Sequence, residues 1–123
     1  MIISHSSISL QHLCVYGYIG CLPQERIVGN RYCVNLHVQG DFSQAALTDQ
    51  LEHTLNYAAL VQLVQKSLLQ PCSLLEHAAA RVAQDIFQQF PIAQQVDIEL
   101  AKINPPLHAD IKAASVRLIL DKE

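Results

Sequence analysis

The sequence has little positive charge. Lysine and arginine number 8 among 123 residues, against 11 aspartates and glutamates, so the net charge is −3. The cations are scattered along the chain and form no basic stripe that could neutralise a row of phosphates. We therefore expect no nucleic acid among the partners of this protein.

Long apolar runs are also missing. The most apolar early stretch, Leu13 to Leu22, is far too short to span a bilayer. No lysine or arginine precedes Arg26, whereas a secretory signal begins with a positively charged region. These absences predict that the protein does not enter a membrane and that it resides in the cytoplasm.

The spacings typical of metal and redox sites are absent as well. None of the 4 cysteines forms a CxxC pair, and none of the 6 histidines stands in an HxH or HxxxH arrangement. Zinc knuckles, redox pairs and histidine-bound metals usually show such spacings. We therefore expect reduced thiols in apolar positions, with Cys21 the most exposed because it follows Gly20 in a turn. We expect neither a metal nor a cofactor.

What the sequence does contain is enough apolar material for a folded core. Half of the residues (50%) are hydrophobic and 15% are charged, a balance typical of globular proteins. No internal repeat or low-complexity linker divides the chain. Residues 1–123 are therefore predicted to form a single domain.

The first third of the chain has the pattern of a β-hairpin. Residues 7–20 carry a loose apolar pattern, and residues 31–39 alternate strictly, as a half-buried antiparallel strand does. The apolar face of the second strand consists of Tyr32, Val34, Leu36 and Val38. Residues 22–30, which contain a proline and a glycine, are predicted to be the loop that connects the two strands.

The middle of the chain has a helical period. The first apolar stripe consists of Tyr57, Leu60, Val61, Val64 and Leu68, and Pro71 is predicted to end that helix. A second helix is predicted from Ser73 until Pro91. Ser73 and Glu76 have the spacing of a capping box, with the serine as N-cap and the glutamate at the third helical position.

Two more strands are predicted at residues 96–100 and 114–120, where apolar residues recur with the period of a strand. The resulting order, ββααββ, predicts an α+β fold in which two helices cover one face of a four-stranded antiparallel sheet. An open sheet leaves two unpaired edges, which favour self-association. One such assembly is a barrel that several subunits close together.

The order of motifs resembles the dihydroneopterin aldolases, which belong to the T-fold group. The match depends on several short stretches that occur in the family's order and spacing, although each alone is weakly specific. These stretches are Gly17–Arg26, Thr48–Asp49 with Leu51, Thr54–Tyr57, Leu74–His77 and Lys102–Pro106.

The resemblance implies a metal-free enzyme of folate synthesis. Such an enzyme cleaves 7,8-dihydroneopterin by a retro-aldol reaction to 6-hydroxymethyl-7,8-dihydropterin and glycolaldehyde. The implied assembly is a homo-oligomer, an octamer of two stacked tetrameric rings, with pockets between neighbouring subunits. Two alternatives stay open: a 2′-epimerase of dihydroneopterin or its triphosphate, and a pterin-binding ring without catalytic activity.

The resemblance also implies roles for particular residues. Lys102 would be the catalytic acid/base, and Tyr57 would contact the substrate and handle a proton. Glu25 would bind the end of the substrate. Glu76, with the backbone of Leu75 beside it, would hold the pterin ring through its N3–H and 2-amino group.

Each of these residues also has a plain structural explanation. Glu76 would complete a capping box, and Lys102 would extend from the rim of the sheet to solvent. Tyr57 would be a packed aromatic residue with a solvated hydroxyl, and Glu25 an ordinary loop carboxylate.

Two departures from the family pattern concern the rim of the pocket. Ile19 stands where many members have a histidine, and the segment His108–Ser115 lacks the glycines common in the last loop. Both are expected to alter the rim without removing a residue assigned to the chemistry.

Overall fold

A single antiparallel sheet forms the framework of the computed structural model, which describes residues 1–123. Its strands lie in the spatial order β1-β2-β3-β4, with each strand antiparallel to its neighbours. The strands are β1 (Ser7–Gly17), β2 (Asn30–Gly40), β3 (Ala93–Ile103) and β4 (Ala113–Asp121). The predicted α+β class and four-stranded antiparallel sheet are confirmed.

The connections between the strands contain more helix than the sequence pattern indicates. The helices are α1 (Pro23–Val28), α2 (Ser43–Thr48), α3 (Tyr57–Leu68) and α4 (Leu75–Gln89), with a 3-10 turn at Leu51–His53. The prediction of a plain loop at residues 22–30 is therefore wrong. Proline at the first helical position and a glutamate in the first turn favour a short helix there.

The long helices α3 and α4 pack against each other and against the same face of the sheet. The alternating side chains of β2 and β3 on that face are fully buried, and they join the helix residues in one core of 21 residues. The opposite face of the sheet is largely polar, with Asn35, His37 and Arg117 exposed. Strands β1 and β4 are the edges of the sheet. None of the helices has the length and hydropathy of a membrane span.

The start of α4 differs from the predicted capping box. Leu74, not Ser73, is the N-cap, and no side chain caps this helix end. Glu76 is therefore the second helical residue, one position too early for a capping box. The residues just before this helix make tertiary contacts instead: Cys72 forms a parallel bridge with Ile19, and the Cys21 thiol donates to the Ser73 carbonyl at 3.7 Å.

The cysteines divide into two groups. Cys33 is buried and Cys72 half-buried, whereas Cys14 and Cys21 are exposed, and all of them are free thiols. The expectation of apolar positions is thus wrong for Cys14, whose side chain projects from the polar face of the sheet. The expected exposure of Cys21 is confirmed.

Candidate functional site

An ion pair marks the end of the sheet where β3 finishes. Lys102 Nζ donates to Glu25 Oε1 at 2.9 Å, although the two residues lie 77 positions apart in the chain. Both side chains are mostly shielded, with 12% of Lys102 and 18% of Glu25 exposed. The register of the sheet places Lys102 opposite Tyr32, and helix α1 brings Glu25 over it.

The Glu25 carboxylate is held at both oxygens. Its second oxygen, Oε2, accepts a hydrogen bond from the backbone N–H of Leu22 at 3.2 Å. The Glu25 side chain thus satisfies an N–H group at the start of its own helix. The hydrogen bond from Lys102 lowers the pKa of Glu25 below its ordinary 4.5, against the opposing effect of burial, and the Leu22 N–H lowers it further. Glu25 is therefore ionised when paired with Lys102.

The segment that precedes α1 is fixed by side chains from elsewhere. The Tyr32 hydroxyl donates to the Ile19 carbonyl at 2.9 Å and lies 3.1 Å from the Ile19 N–H, which donates to it. Arg26 Nη1 donates to the carbonyls of Gly20 at 2.6 Å and Cys21 at 3.0 Å. These contacts hold the turn so that the Glu25 carboxylate reaches Lys102.

Gly20 leaves the space that Glu25 occupies. A Cβ at this position would overlap the Glu25 side chain, including its carboxyl group. The glycine is therefore required by a close approach, and its φ lies outside the positive region.

Ile19 does not belong to the rim of the pocket. Its side chain is fully buried in the main core, and its neighbour Gly20 donates its N–H to the Cys72 carbonyl at 3.0 Å. The expectation that Ile19 alters the rim is therefore wrong. The segment 108–115 also differs from expectation, because β4 begins at Ala113 and only residues 108–112 form an exposed loop.

Glu76 and Leu75 lie at the same end of the molecule as the ion pair. A parallel bridge between Ile19 and Cys72 ties the start of α4 to the turn before α1. Glu76 is exposed and Leu75 is half-buried. The carboxylate of Glu76 makes no hydrogen bond or ion pair within the chain, so it is free to accept donors from a ligand.

Tyr57 is not brought to the ion pair within this chain. The carbonyl of Leu68, at the end of α3, lies against Gly17 at the end of β1, near Lys102. Tyr57 begins the same helix of 12 residues, so it lies about 17 Å away along the helix axis. Its side chain is 66% exposed, so the explanation as a packed aromatic residue is wrong.

A cavity of about 460 Å³ adjoins Glu25. Its walls are Leu22, Val28 and the loop that carries Asn104 and Pro106. Asn104 adopts a φ of 46°, and its N–H donates to the Lys112 carbonyl at 2.9 Å, which fixes the loop after β3. The apolar wall from α1 was missed at the sequence level, because residues 22–30 were predicted to lack regular structure.

Metal ligation and anion binding have few candidates. No group of three or more histidine, cysteine, aspartate or glutamate side chains is placed to hold a metal ion. Arg26 and Arg81 donate to backbone carbonyls, and Arg117 pairs with Asp97 at 2.6 Å. Arg31 is the one remaining arginine, so no cluster of free arginines stands ready for a triphosphate.

Known structures share this architecture. Escherichia coli dihydroneopterin aldolase in complex with neopterin superimposes with a TM-score of 0.80 at 23% identity, covering 96% of this chain and 99% of that one. A dihydroneopterin aldolase from Burkholderia thailandensis, bound to guanine, gives a TM-score of 0.76 at 18% identity, covering 97% and 93%. At these identities the likeness establishes the fold alone.

The family is established by sequence. The dihydroneopterin aldolase family model matches residues 8–119. The Bacillus subtilis dihydroneopterin aldolase is 34% identical over 109 residues, which are 87% of this chain and 90% of that protein. This chain belongs to the dihydroneopterin aldolase family.

Proposed function

We propose that this chain cleaves 7,8-dihydroneopterin by a retro-aldol reaction, releasing glycolaldehyde and 6-hydroxymethyl-7,8-dihydropterin, a reaction of folate synthesis. The observation that carries the proposal is the shielded Lys102–Glu25 pair beside a cavity in a chain of this family. The pair offers a proton donor and a carboxylate at one place.

The chemistry requires a base at the 2′-hydroxyl and an electron sink next to the breaking bond. As the C1′–C2′ bond breaks, the electron pair moves into the C6=N5 imine of the substrate, so an enamine forms and glycolaldehyde leaves. Lys102 acts through its proton near N5, by way of a water molecule, and C1′ is then protonated. A lysine in this role forms no Schiff base, because the imine is already present in the pterin.

Substrate recognition is proposed to divide between two glutamates. Glu76, unpaired and at the start of α4, accepts N3–H and the 2-amino group of the pterin in two charge-assisted hydrogen bonds. The backbone of Leu75 lies beside it, and Glu25 binds the hydroxylated end of the substrate.

Tyr57 is proposed to reach the site of a neighbouring subunit. Its hydroxyl would help move the proton of the 2′-hydroxyl, yet it lies one helix length from Lys102 in its own chain. The free edges of β1 and β4 support an assembly in which subunits close a barrel. We propose a closed homo-oligomer, an octamer of two stacked tetramers, with pockets between subunits.

The proposal includes metal independence and a cytoplasmic location. The substrate supplies its own electron sink, so no Lewis acid is needed to hold an enolate. The free thiols of all the cysteines are compatible with a reducing compartment.

One assay tests the function. The purified protein is incubated with 7,8-dihydroneopterin, and glycolaldehyde and the pterin products are quantified with and without exhaustive EDTA treatment. The expected result is equal formation of glycolaldehyde and 6-hydroxymethyl-7,8-dihydropterin in both samples. Conversion only to the 2′-epimer would identify an epimerase, and binding without turnover would identify a pterin-binding ring. Loss of turnover on chelation, restored by zinc, would contradict the metal-free mechanism.

A further inference from the structure

A pair of cysteines lies outside the candidate site, on the polar face of the sheet. Cys14 of β1 stands directly opposite Cys33 of β2 in the antiparallel register. Directly opposed residues of such strands have Cα atoms about 4.5–5.5 Å apart, within the span of about 4.4–6.8 Å that a disulfide accepts. Both side chains project from the same face of the sheet, away from the helices, so a bridge between them preserves the strand pairing.

The two thiols differ in their access to solvent. Cys14 is exposed, whereas only 6% of Cys33 is exposed. Burial raises the pKa of the Cys33 thiol, and the adjacent Cys14 raises it further. A reagent in solution therefore meets Cys14 first, and Cys33 is placed to react only with a group already attached to Cys14.

A histidine completes the cluster. The strand β1 has an irregularity between Leu10 and Leu13, where His12 adopts a φ of 56°. The His12 N–H donates to Asn35 Oδ1 at 2.8 Å, which holds this unusual conformation. As a result, His12 Nδ1 lies 3.1 Å from Cys33 Sγ, and in the tautomer protonated at Nε2 it accepts the thiol proton.

We infer that Cys14 and Cys33 form an oxidisable dithiol that reacts with a low-molecular-weight disulfide such as oxidised glutathione. The Cys14 thiolate attacks one glutathione sulfur, so a mixed disulfide forms and one glutathione leaves. Cys33 then gives its proton to His12, and its sulfur attacks Cys14 Sγ, which expels the second glutathione; that thiolate takes up the proton. Two protein thiols become one disulfide, and one oxidised glutathione is reduced to two thiols.

The bridge would tie the segment that carries α1. A link between residues 14 and 33 closes a loop that contains Glu25 and Arg26, and it restricts the unfolded chain more than the folded sheet. We therefore expect the oxidised protein to have a Tm at least about 5 °C higher than the reduced protein. Cys14 projects from the face of the sheet, not from its edge. If another subunit pairs with the edge of β1, the Cys14 thiol therefore stays on the polar face.

The test uses the full chain in its native assembly. The protein is equilibrated with oxidised glutathione, free thiols are alkylated, and peptides are mapped by mass spectrometry without reduction. The expected product is a Cys14–Cys33 cross-linked peptide that lacks two hydrogens, formed equally in the Cys21→Ser/Cys72→Ser background. Cys33→Ser should accumulate a glutathione adduct on Cys14, whereas Cys14→Ser should leave Cys33 unmodified.

Several outcomes would overturn the inference. These are a cross-link through Cys21 or Cys72, a disulfide between subunits on non-reducing gels, or no loss of thiols in the wild type. An equal adduct on Cys33 in the Cys14→Ser variant would remove the proposed order of attack. An unchanged Tm in the bridged protein would show that the bridge does not stabilise the fold by restricting the unfolded chain.

Discussion

Lys102 carries most of the proposed chemistry, and its partner explains how a lysine can occupy a shielded position. A buried ammonium without a partner is costly, and the Glu25 carboxylate at 2.9 Å offsets part of that cost. The explanation of Lys102 as a residue that extends to solvent is wrong, because only 12% of its side chain is exposed.

Replacement of Lys102 should affect turnover more than binding. Lys102→Ala should keep the fold and most pterin affinity but lose at least about 100-fold in kcat, because a proton donor acts only as the bond breaks. The measurement is steady-state kinetics together with ligand titration. Lys112→Ala, in the exposed loop after β3, is the matched control and should retain full activity.

Borohydride reduction during turnover should trap no adduct on Lys102. Near-normal turnover by Lys102→Ala, or a trapped covalent adduct, would contradict the proton-transfer role.

Glu76 should matter for affinity and little for stability. Glu76→Ala should weaken pterin binding by about 1.5–3 kcal/mol for each charge-assisted hydrogen bond lost. Because the structure contains no capping box at this helix, its Tm should change only slightly, by the loss of one acidic residue from the first turn. Calorimetry of binding and of unfolding separates the two effects, with Glu52→Ala as an exposed control. Unchanged affinity with a lowered Tm would show that Glu76 is structural.

The Glu25 pair should give the protein a specific sensitivity to acid. Lys102 lowers the pKa of folded Glu25 below 4.5, so the unfolded chain binds the proton first as the pH falls. The stabilisation is therefore complete above pH 4.5 and is lost as the pH falls through the lower pKa of the folded state. Below pH 4.5 the free energy of unfolding should drop more steeply in the wild type than in Glu25→Gln. Urea unfolding across a pH series, at fixed protein concentration, measures this; parallel curves would exclude the stabilising pair.

At the scale of the element, α1 is a short helix that depends on its surroundings. It has 6 residues and buries none of them fully, so its own propensity cannot maintain it. Arg26 links the helix to the carbonyls of Gly20 and Cys21, and the Leu22 N–H links it to Glu25. The position of the Glu25 carboxylate therefore depends on Arg26, which does not touch the ion pair itself.

Arg26→Lys should disturb the site through this turn. A lysine keeps the charge but loses the planar group that donates to both carbonyls. The free energy of unfolding should therefore fall by about 1–3 kcal/mol. We expect kcat/KM to fall by about 10-fold, because the Glu25–Lys102 geometry loosens. Arg31→Lys, on the exposed side of β2, is the matched control. Equal kinetics for the two variants would show that the turn holds Glu25 without Arg26.

At the scale of the whole molecule, the separation of Tyr57 from Lys102 requires a second subunit if both serve one reaction. The distance of about 17 Å along α3 is far beyond the reach of the tyrosine side chain. Self-association also removes the free edges of β1 and β4. Self-association would thus bring Tyr57 to a Lys102 and would also pair the free edges of the sheet.

Mixed oligomers test this arrangement directly. Lys102→Ala and Tyr57→Ala should each be nearly inactive alone, whereas random co-assembly should restore about a quarter of the sites. Activity should appear only in fractions whose mass, measured by light scattering, is that of the closed oligomer. No recovery on mixing would place both residues in one chain, and an active monomer at assay concentration would exclude the ring.

Local patterns in the sequence determined the type of most elements. The alternation of residues 31–39 predicted β2, and the helical stripe that ends in Leu68 predicted α3. Both predictions were possible because burial of one face gives apolar residues a regular spacing within a short stretch of sequence. The motif resemblance named Lys102, Glu25 and Glu76 as members of one site. Tyr57 was named in the same way, but its neighbours could not be inferred.

Only the tertiary structure decided which distant groups meet. The pairing of Glu25 with Lys102 across 77 positions depends on sheet register and on a helix that the sequence pattern did not indicate. Helix α4 begins after Leu74, next to the bridge between Cys72 and Ile19, and the Ile19 side chain lies in the core. Such contacts carry no local period, so they follow from how the whole chain packs and from the register in which its strands pair.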